Sequence, residues 1–144
     1  METIKVLVVD DEVGIQDLFS QALEGEQYHV LAAADGKTAL EAVTREQPRV
    51  VFLDLKLPDV DGVEVLKRIG QLDVKPIVIM ITGHGTIVKA AKVMDLGAYD
   101  YIVKPFNVDD IIAVMEEALR MEGLERRVSS LRDRLKEKEE GSAT

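Results

Sequence analysis

Three aspartates and one lysine stand at the ends of short apolar runs in this sequence. Asp10 and Asp11 end the first run, Asp54 ends a second, and Lys104 ends a third just before Pro105. The runs are short and rich in β-branched residues, which favours central strands over helices. Ligands of open parallel sheets bind beyond the carboxyl ends of the strands, so we expect the four charged side chains to meet at one edge of a sheet.

The three carboxylates indicate a site for a hard divalent cation. Two carboxylates 4 Å apart repel each other by roughly 4 kcal/mol at an effective dielectric constant near 20. Convergence of Asp10, Asp11 and Asp54 is therefore unfavourable unless a cation enters. Ligands that are all oxygen favour magnesium, or a similarly hard ion such as manganese. We expect Mg²⁺, or Mn²⁺ in its place, as the cofactor.

The composition limits the possible partners and locations. The chain has 144 residues, of which 47% are hydrophobic, and this suffices for one domain with a core plus an appendage. The formal net charge of −9 argues against direct binding to nucleic acid. The absence of cysteine excludes disulfides and thiolate metal sites. No apolar stretch has the length of a membrane span and no signal-peptide profile is seen, so we expect a cytoplasmic protein without membrane contact.

Strand-like and helix-like segments alternate five times, which predicts a doubly wound α/β fold. The predicted strands lie at 4–9, 28–33, 50–54, 76–81 and 99–103. The predicted helices lie at 13–24, 36–46, 62–70, 86–96 and 107–122. Right-handed crossovers leave few topologies, and we predict the flavodoxin-like parallel order 2-1-3-4-5. We expect strands 1, 3 and 5 to lie side by side in the middle of this sheet.

Thr82 and His84 follow the fourth predicted strand and lie near the same edge. The Thr82 hydroxyl could bond a phosphoryl oxygen, or Thr82 could be an N-cap or turn residue of the next helix, and the residues alone leave both open. His84 lies between Gly83 and Gly85. It is interpreted as a solvated loop residue, because no second metal ligand is close in sequence.

Four segments resemble, in order and spacing, the receiver domain of two-component response regulators. They are Val8-Val9-Asp10-Asp11-Glu12, Asp54-Leu55-Lys56-Leu57-Pro58-Asp59-Val60-Asp61-Gly62, Ile81-Thr82-Gly83 and Lys104-Pro105-Phe106. The resemblance covers about residues 3–121, and four motifs together are far more specific than one. Two further segments are most similar to the nitrogen-regulation type of transcription activator, namely Gly83-His84-Gly85-Thr86 and Leu96-Gly97-Ala98-Tyr99-Asp100-Tyr101.

The resemblance implies a role for each matched residue of the charged site. Asp54 would be the phosphoacceptor and Asp11 a direct magnesium ligand, with Asp10 acting mainly through water. The backbone carbonyl of Lys56 would complete the protein ligands, and Lys104 would pair with the phosphoryl group. A carboxylate can attack phosphorus when a metal ion and an ammonium neutralise the transferring group, so the physical chemistry agrees with these roles.

The resemblance also implies a switch and a partner. Thr82 would bond the phosphoryl group after transfer, Tyr101 would be the aromatic switch residue, and the Lys104-Pro105 bond would be cis. The donor would be the phosphohistidine of a sensor histidine kinase or a small phosphodonor. The protein would catalyse only its own phosphorylation and dephosphorylation. The face made by helix 4, strand 5 and helix 5 would then relay the signal in control of transcription.

Residues 122–144 are predicted to form a helical extension after a receiver domain at residues 1–121. Apolar residues recur there at spacings of 3, 4, 3 and 4, as in a short coiled coil, at Met121, Leu124, Val128, Leu131 and Leu135. Gly123 weakens the helix at the junction, and Arg127 would approach Arg132 in a parallel pair. A tail without a partner is the alternative, but we expect a homodimer formed by the receiver face and this helix.

Three other functions share part of this residue set. A magnesium phosphatase of the haloacid dehalogenase type also uses aspartate, threonine and lysine, but it normally needs a second aspartate where this chain has Lys56. A flavodoxin-like FMN carrier would have to bind a phosphate beside Asp10, Asp11 and Glu12, which repel it. A coiled-coil adaptor with a disabled receiver would keep the fold without the chemistry.

Overall fold

The structure, a computed structural model, describes residues 3–83 and 87–142. Within them, strands and helices alternate in the predicted order. The elements are β1 (Ile4–Val9), α1 (Val13–Leu23), β2 (Tyr28–Ala33), α2 (Gly36–Glu46), β3 (Val50–Asp54), α3 (Gly62–Ile69), β4 (Ile77–Thr82), α4 (Ile87–Asp95), β5 (Asp100–Val103) and α5 (Val108–Ser142). His84 lies outside the described residues.

The five strands form one parallel sheet of order β2-β1-β3-β4-β5, which confirms the predicted topology. Val9 of β1 pairs with Leu53 of β3, and Thr82 of β4 pairs with Val103 of β5. The expectation that strands 1, 3 and 5 lie side by side was wrong, because β4 separates β3 from β5 and β5 forms an edge. Lys104 follows β5, which is not adjacent to β3. Its long side chain therefore has to extend past the end of β4 to reach Asp54.

The core consists of the central strands and the helices that cover them. Every residue of β3 is buried, and so are the last four residues of β1, because helices lie on both faces of a parallel sheet. The Phe19 ring of α1 packs 4.6 Å from the Phe52 ring and 5.7 Å from the Phe106 ring, measured between centroids. These apolar runs continue to Val9 and Leu53, so the polar residues that follow are held at a rigid edge.

The chain divides into two compact units, Met1–Ile112 and Ala113–Thr144. Helix α5 continues without interruption past Gly123 to Ser142, as expected for a last helix with a helical extension. In the second unit, Met115 and Ala118 are buried. Large apolar side chains further along the helix are exposed, at Leu124, Val128, Leu131 and Leu135. The predicted boundary between a receiver domain at 1–121 and an extension at 122–144 stays a prediction.

Candidate functional site

The carboxyl ends of β1 and β3 bring three aspartates together. Asp10 directly follows β1, Asp11 comes next, and Asp54 is the last residue of β3. Carboxylate oxygens of the three side chains all lie within 4.8 Å of one another. Asp10 and Asp54 are buried, whereas Asp11 is exposed to solvent. The convergence predicted from the ends of the apolar runs is thus present.

Asp10 is the most enclosed of these carboxylates. Its Oδ1 accepts a hydrogen bond from the backbone N–H of Glu12 at 2.9 Å, and Gln16 Nε2 donates to its backbone carbonyl at 2.8 Å. Its Oδ2 lies 3.0 Å from Lys104 Nζ, but it has no aligned hydrogen-bond donor among the described residues. Burial raises the pKa of the Asp10 carboxyl above its ordinary value, and the Asp54 charge acts in the same direction.

Lys104 supplies the positive charge of the site. Its Nζ lies 3.0 Å from Asp10 Oδ2, 3.2 Å from Asp54 Oδ2 and 3.2 Å from Glu12 Oε1. Burial by itself would lower the pKa of the Lys104 ammonium, but the Asp10 and Asp54 carboxylates outweigh it and raise that pKa. The Lys104-Pro105 bond is cis, as predicted. The backbone N–H of Lys104 donates to the Thr82 carbonyl at 2.7 Å, which joins the ends of β4 and β5.

The residues of this edge fit a hard divalent cation. One ammonium faces the carboxylates of Asp10, Glu12 and Asp54, and Asp11 adds a fourth negative charge nearby, so negative charge is in excess. The buried Asp10 Oδ2 without an aligned donor is the kind of atom that a metal-bound water or a cation would satisfy. All the ligands offered are oxygens, which suits Mg²⁺ or Mn²⁺.

The segment between β3 and α3 holds Asp54 in place through short backbone contacts. The Lys56 N–H donates to Asp54 Oδ1 at 3.1 Å, and the Gly62 N–H donates to the Leu55 carbonyl at 2.8 Å. Asp61 is the N-cap residue of α3, and its side chain accepts from the Val63 N–H at 2.9 Å. A Cβ at Gly62 would overlap the backbone carbonyl oxygen of Asp54. The start of α3 thus lies directly against the strand end that carries Asp54.

Thr82 and Tyr101 lie on neighbouring strands and differ in their exposure to solvent. Thr82 ends β4 and is buried, and its hydroxyl donates to the Ile102 carbonyl at 3.4 Å, a long hydrogen bond. Tyr101 in β5 is 41% exposed, so it is not a core aromatic in this conformation. The backbone carbonyl of Lys56 belongs to the segment that follows Asp54, and its role as a ligand stays a prediction.

Three contacts were missed by the sequence reasoning. Glu12 is the N-cap residue of α1, and its carboxylate pairs with Lys104. Gln16, one helical turn after Glu12, donates to the Asp10 backbone carbonyl, and no sequence motif indicates this contact. Asp59 accepts from the N–H groups of Gly36 and Lys37 at 2.8 and 3.0 Å, so it caps α2 from another loop. The pKa of the Asp59 carboxyl is lowered, and the hydrogen bond from the Gly36 N–H is the largest cause.

Comparison with known protein families identifies the chain. The family model described as response regulator receiver domain matches residues 6–116, well over half of the sequence. The chain belongs to this receiver family. Its function is that of a phosphoacceptor receiver in two-component systems, as the resemblance of the four motifs indicated. The phosphatase, the FMN carrier and the disabled adaptor are not favoured by these findings.

Several relatives of the receiver are similar over most of its length. Sporulation initiation phosphotransferase F of Bacillus subtilis is 40% identical over 74% of this chain and 86% of its own. The nitrogen assimilation regulatory protein NtrX of Azorhizobium caulinodans is 39% identical over 88% of this chain and 28% of its own. The crystal structure of NtrX from Brucella abortus is 42% identical, with a TM-score of 0.84 over 91% of this chain and 30% of that one.

These relatives bear on the subtype and on the extent of the sequence. The matches to NtrX confirm the resemblance to receivers of the nitrogen-regulation type. The chain spans less than a third of the NtrX proteins that it matches. Receivers of this family are not enzymes of an ordinary kind. Within residues 3–83 and 87–142, no helix has the length and apolar character needed to cross a membrane.

Proposed function

We propose that Asp54 of this receiver accepts a phosphoryl group from the phosphohistidine of a sensor histidine kinase. The observation that carries the proposal is the position of the Asp54 carboxylate. Its Oδ2 lies 3.2 Å from Lys104 Nζ, and oxygens of Asp10 and Asp11 lie within 4.8 Å of its own. The nucleophile Asp54, the ammonium of Lys104 and the carboxylate ligands for a metal ion thus lie at one edge of the sheet.

In the proposed transfer, an Asp54 carboxylate oxygen attacks phosphorus in line with the bond from phosphorus to the donor nitrogen. The new oxygen–phosphorus bond forms as the old bond breaks, and the electron pair of the broken bond stays on the donor's imidazole nitrogen. Lys104 neutralises charge on the phosphoryl oxygens as Asp54 gives up its ion pair. Bound Mg²⁺ would supply further positive charge there, held by Asp11 and Asp54, by Asp10 through water and by the Lys56 carbonyl.

We propose that the phosphoryl group then shifts a two-state element made by Thr82 and Tyr101. The Thr82 hydroxyl makes only a long hydrogen bond to Ile102, so little is lost when it turns to a phosphoryl oxygen. Tyr101 is exposed and lies in the strand paired with β4, so it is free to change its packing when Thr82 moves. The doubly negative group would bias this equilibrium, and the face of α4, β5 and α5 would report it.

The output that fits these features is control of transcription through a change in dimerisation. The receiver would form a homodimer through its α4–β5–α5 face and the apolar residues of α5, without binding nucleic acid itself. It would act in the cytoplasm, where the ATP that charges a histidine kinase is found. Sedimentation equilibrium before and after phosphorylation tests the dimer, and equal masses at all concentrations in both states would contradict it.

The intact mass of the protein after incubation with acetyl phosphate and magnesium tests the central proposal. We expect a single phosphoryl adduct when magnesium is present. No adduct should form when EDTA removes the magnesium. Peptide mapping should place the adduct on Asp54. Absence of any adduct, with either acetyl phosphate or a histidine kinase as donor, would contradict the proposal.

Magnesium should stabilise the native protein. It relieves repulsion among Asp10, Asp11 and Asp54, and a ligand that binds only the native state adds about 1.4 kcal/mol at ten times its Kd. Thermal unfolding with and without millimolar MgCl₂ measures this gain. Asp11→Asn should abolish most of it, whereas Asp73→Asn, which removes an exposed carboxylate in the loop before β4, should keep it. A parent melting temperature that is indifferent to magnesium would refute the site.

Lys104→Ala should still permit slow phosphorylation but should uncouple it from the conformational change. Groups that stabilise charge in a transition state are worth roughly 10²-fold in rate, so we expect a loss of that order. Amide hydrogen exchange of α4 and β5, before and after phosphorylation, measures the coupling. Lys67→Ala removes an exposed lysine of α3 and serves as the control. A change in exchange as large in Lys104→Ala as in the parent would contradict the role of this ammonium.

A further inference from the structure

The loop between β3 and α3 is hydrogen-bonded at its tip, residues 57–60, to the start of α2. The Asp59 carboxylate accepts from the Gly36 N–H at 2.8 Å through Oδ1 and from the Lys37 N–H at 3.0 Å through Oδ2. Both N–H groups belong to the first turn of α2, where backbone donors have no partner within the helix. The bonds join residues 23 and 22 apart in sequence, so they hold the loop against α2.

Helix α2 already has a cap of its own. Asp35 is its N-cap residue and accepts from the Thr38 N–H at 2.8 Å, as aspartate at this position ordinarily does. Lys37 and Asp59 are exposed, so water could satisfy the Lys37 N–H if Asp59 were absent. The helix therefore does not depend on Asp59 for its start, and the contact acts mainly on the loop that carries Asp59.

Apolar contacts bring the loop tip close to α2 but do not fix its orientation. Leu57 and Val60 are partly buried against the core, and a Cβ at Gly36 would overlap Val60 Cγ2. Contacts of this kind are non-directional, so they tolerate rotation of the loop. Two hydrogen bonds from successive N–H groups to the two oxygens of Asp59 are directional, and they fix both the position and the angle of the tip.

The same loop begins at the charged site. The Lys56 N–H donates to Asp54 Oδ1 at 3.1 Å, and the Lys56 carbonyl is a proposed ligand of magnesium. Lys56 also pairs with Asp61 in an antiparallel bridge across the base of the loop. Asp59 lies within the segment that this bridge closes, so a rotation of the tip is passed to the Lys56 peptide beside Asp54.

We propose that Asp59 is a positioning residue for the magnesium site, which holds the loop on α2 and thereby orients the Lys56 carbonyl toward the metal ion. The inference rests on the proposed function, since it assumes that Asp11, Asp54 and this carbonyl bind magnesium. Mg²⁺ demands near-ideal octahedral geometry, so a misdirected ligand lowers its affinity. Groups that orient metal ligands are typically worth roughly 10- to 100-fold in metal affinity.

Asp59→Ala should raise the Kd for Mg²⁺ by roughly tenfold, measured by isothermal titration calorimetry of the full chain with MgCl₂. Asp35→Ala is the matched control. It also removes one carboxylate and one cap from the start of α2, but it leaves both hydrogen bonds of Asp59 in place, so its Kd should equal that of the parent. Urea unfolding reports the loss of stability of each variant separately. An unchanged Kd in Asp59→Ala, or an equal rise in both variants, would overturn the proposal.

A conservative variant separates hydrogen bonding from charge. Asp59→Asn removes the same charge as Asp59→Ala, but its amide oxygen can still accept from the Gly36 N–H. Its Kd for Mg²⁺ should therefore lie between those of the parent and Asp59→Ala. Equal Kd values for the two variants would assign the effect to charge and overturn the positioning role. At saturating magnesium, Asp59→Ala should be phosphorylated by acetyl phosphate at the parent rate. A lasting loss of rate there would mean that Asp59 acts on the nucleophile instead.

Magnesium should in turn strengthen the contact between the loop and α2, because coupling between two binding events is reciprocal. Amide hydrogen exchange of the parent, resolved by residue with NMR, measures this. MgCl₂ should slow exchange at Gly36 and Lys37, which donate to Asp59, more than at Thr38, which donates to Asp35. Equal changes at all three amides would overturn the coupling. A parent that does not bind magnesium at all would refute the proposed site and this inference together, whereas a parent that binds it as tightly as Asp59→Ala would refute the inference alone.

Discussion

Asp54→Asn should remove phosphorylation completely while leaving the protein folded. The substitution keeps the size and shape of the side chain and removes only the nucleophilic charge, so the buried strand end stays packed. It costs the ion pair with Lys104, but it also removes repulsion against Asp10. We expect the free energy of unfolding to change by less than about 1 kcal/mol in the absence of magnesium, since these two effects oppose each other.

Intact mass after incubation with acetyl phosphate and magnesium measures the loss. Asp73→Asn is the matched control, because it makes the same chemical change at an exposed loop residue and should accept phosphate as the parent does. Far-ultraviolet circular dichroism and urea unfolding should show a native fold for both variants. A full phosphoryl adduct on Asp54→Asn would place the acceptor at another residue.

The convergence of the three aspartates was predictable because it follows from backbone direction alone. Parallel strands end at a common edge, and each run of β-branched residues shows where its strand ends. The convergence of Asp10, Asp11 and Asp54 therefore follows from the sequence without knowledge of side-chain geometry. The predicted strand order already places β4 between β3 and β5, so the expectation that strands 1, 3 and 5 adjoin did not follow from it. Lys104 meets the aspartates because of the length of its side chain.

Other parts of the site depend on contacts that local sequence patterns do not encode. The Glu12 contact with Lys104 joins residues 92 apart in sequence. Asp59 reaches α2 because two loops close against each other across 23 residues. Such pairs depend on the distance between loops in the folded protein. The periodicity of a helix or strand does not predict this distance. The continuation of α5 past Gly123, in contrast, was predictable from the local spacing of apolar residues, because one glycine weakens a helix without ending it.

The backbone contact at Gly62 shows how the helix after β3 fixes the nucleophile. A Cβ built at Gly62 would overlap the Asp54 carbonyl oxygen and lie 2.8 Å from the Leu55 Cα. These are backbone atoms of the end of a buried strand, so they cannot rotate aside as a surface side chain would. Any larger residue at this position must therefore move the start of α3 away from the strand, or move Asp54 itself.

Gly62→Ala should consequently impair both stability and phosphorylation. Overpacking of this kind costs about 1–3 kcal/mol. A displacement of a reacting group by roughly 1 Å can lower the rate about 10²-fold, because in-line attack requires alignment. Gly14→Ala is the control, since nothing lies within 4 Å of a Cβ at that position in α1. There alanine should stabilise the helix by about 0.5–1 kcal/mol and leave the phosphorylation rate unchanged.

Urea unfolding and the rate of adduct formation with acetyl phosphate measure the two effects separately. If Gly62→Ala loses stability but keeps the parent rate, α3 yields while β3 holds Asp54 in place, and the helix does not position the nucleophile. If it loses rate with little loss of stability, the strand end has moved instead. A variant that equals the parent in both measurements would contradict the close approach of Gly62 to Asp54, and with it the account of how this receiver aligns its acceptor.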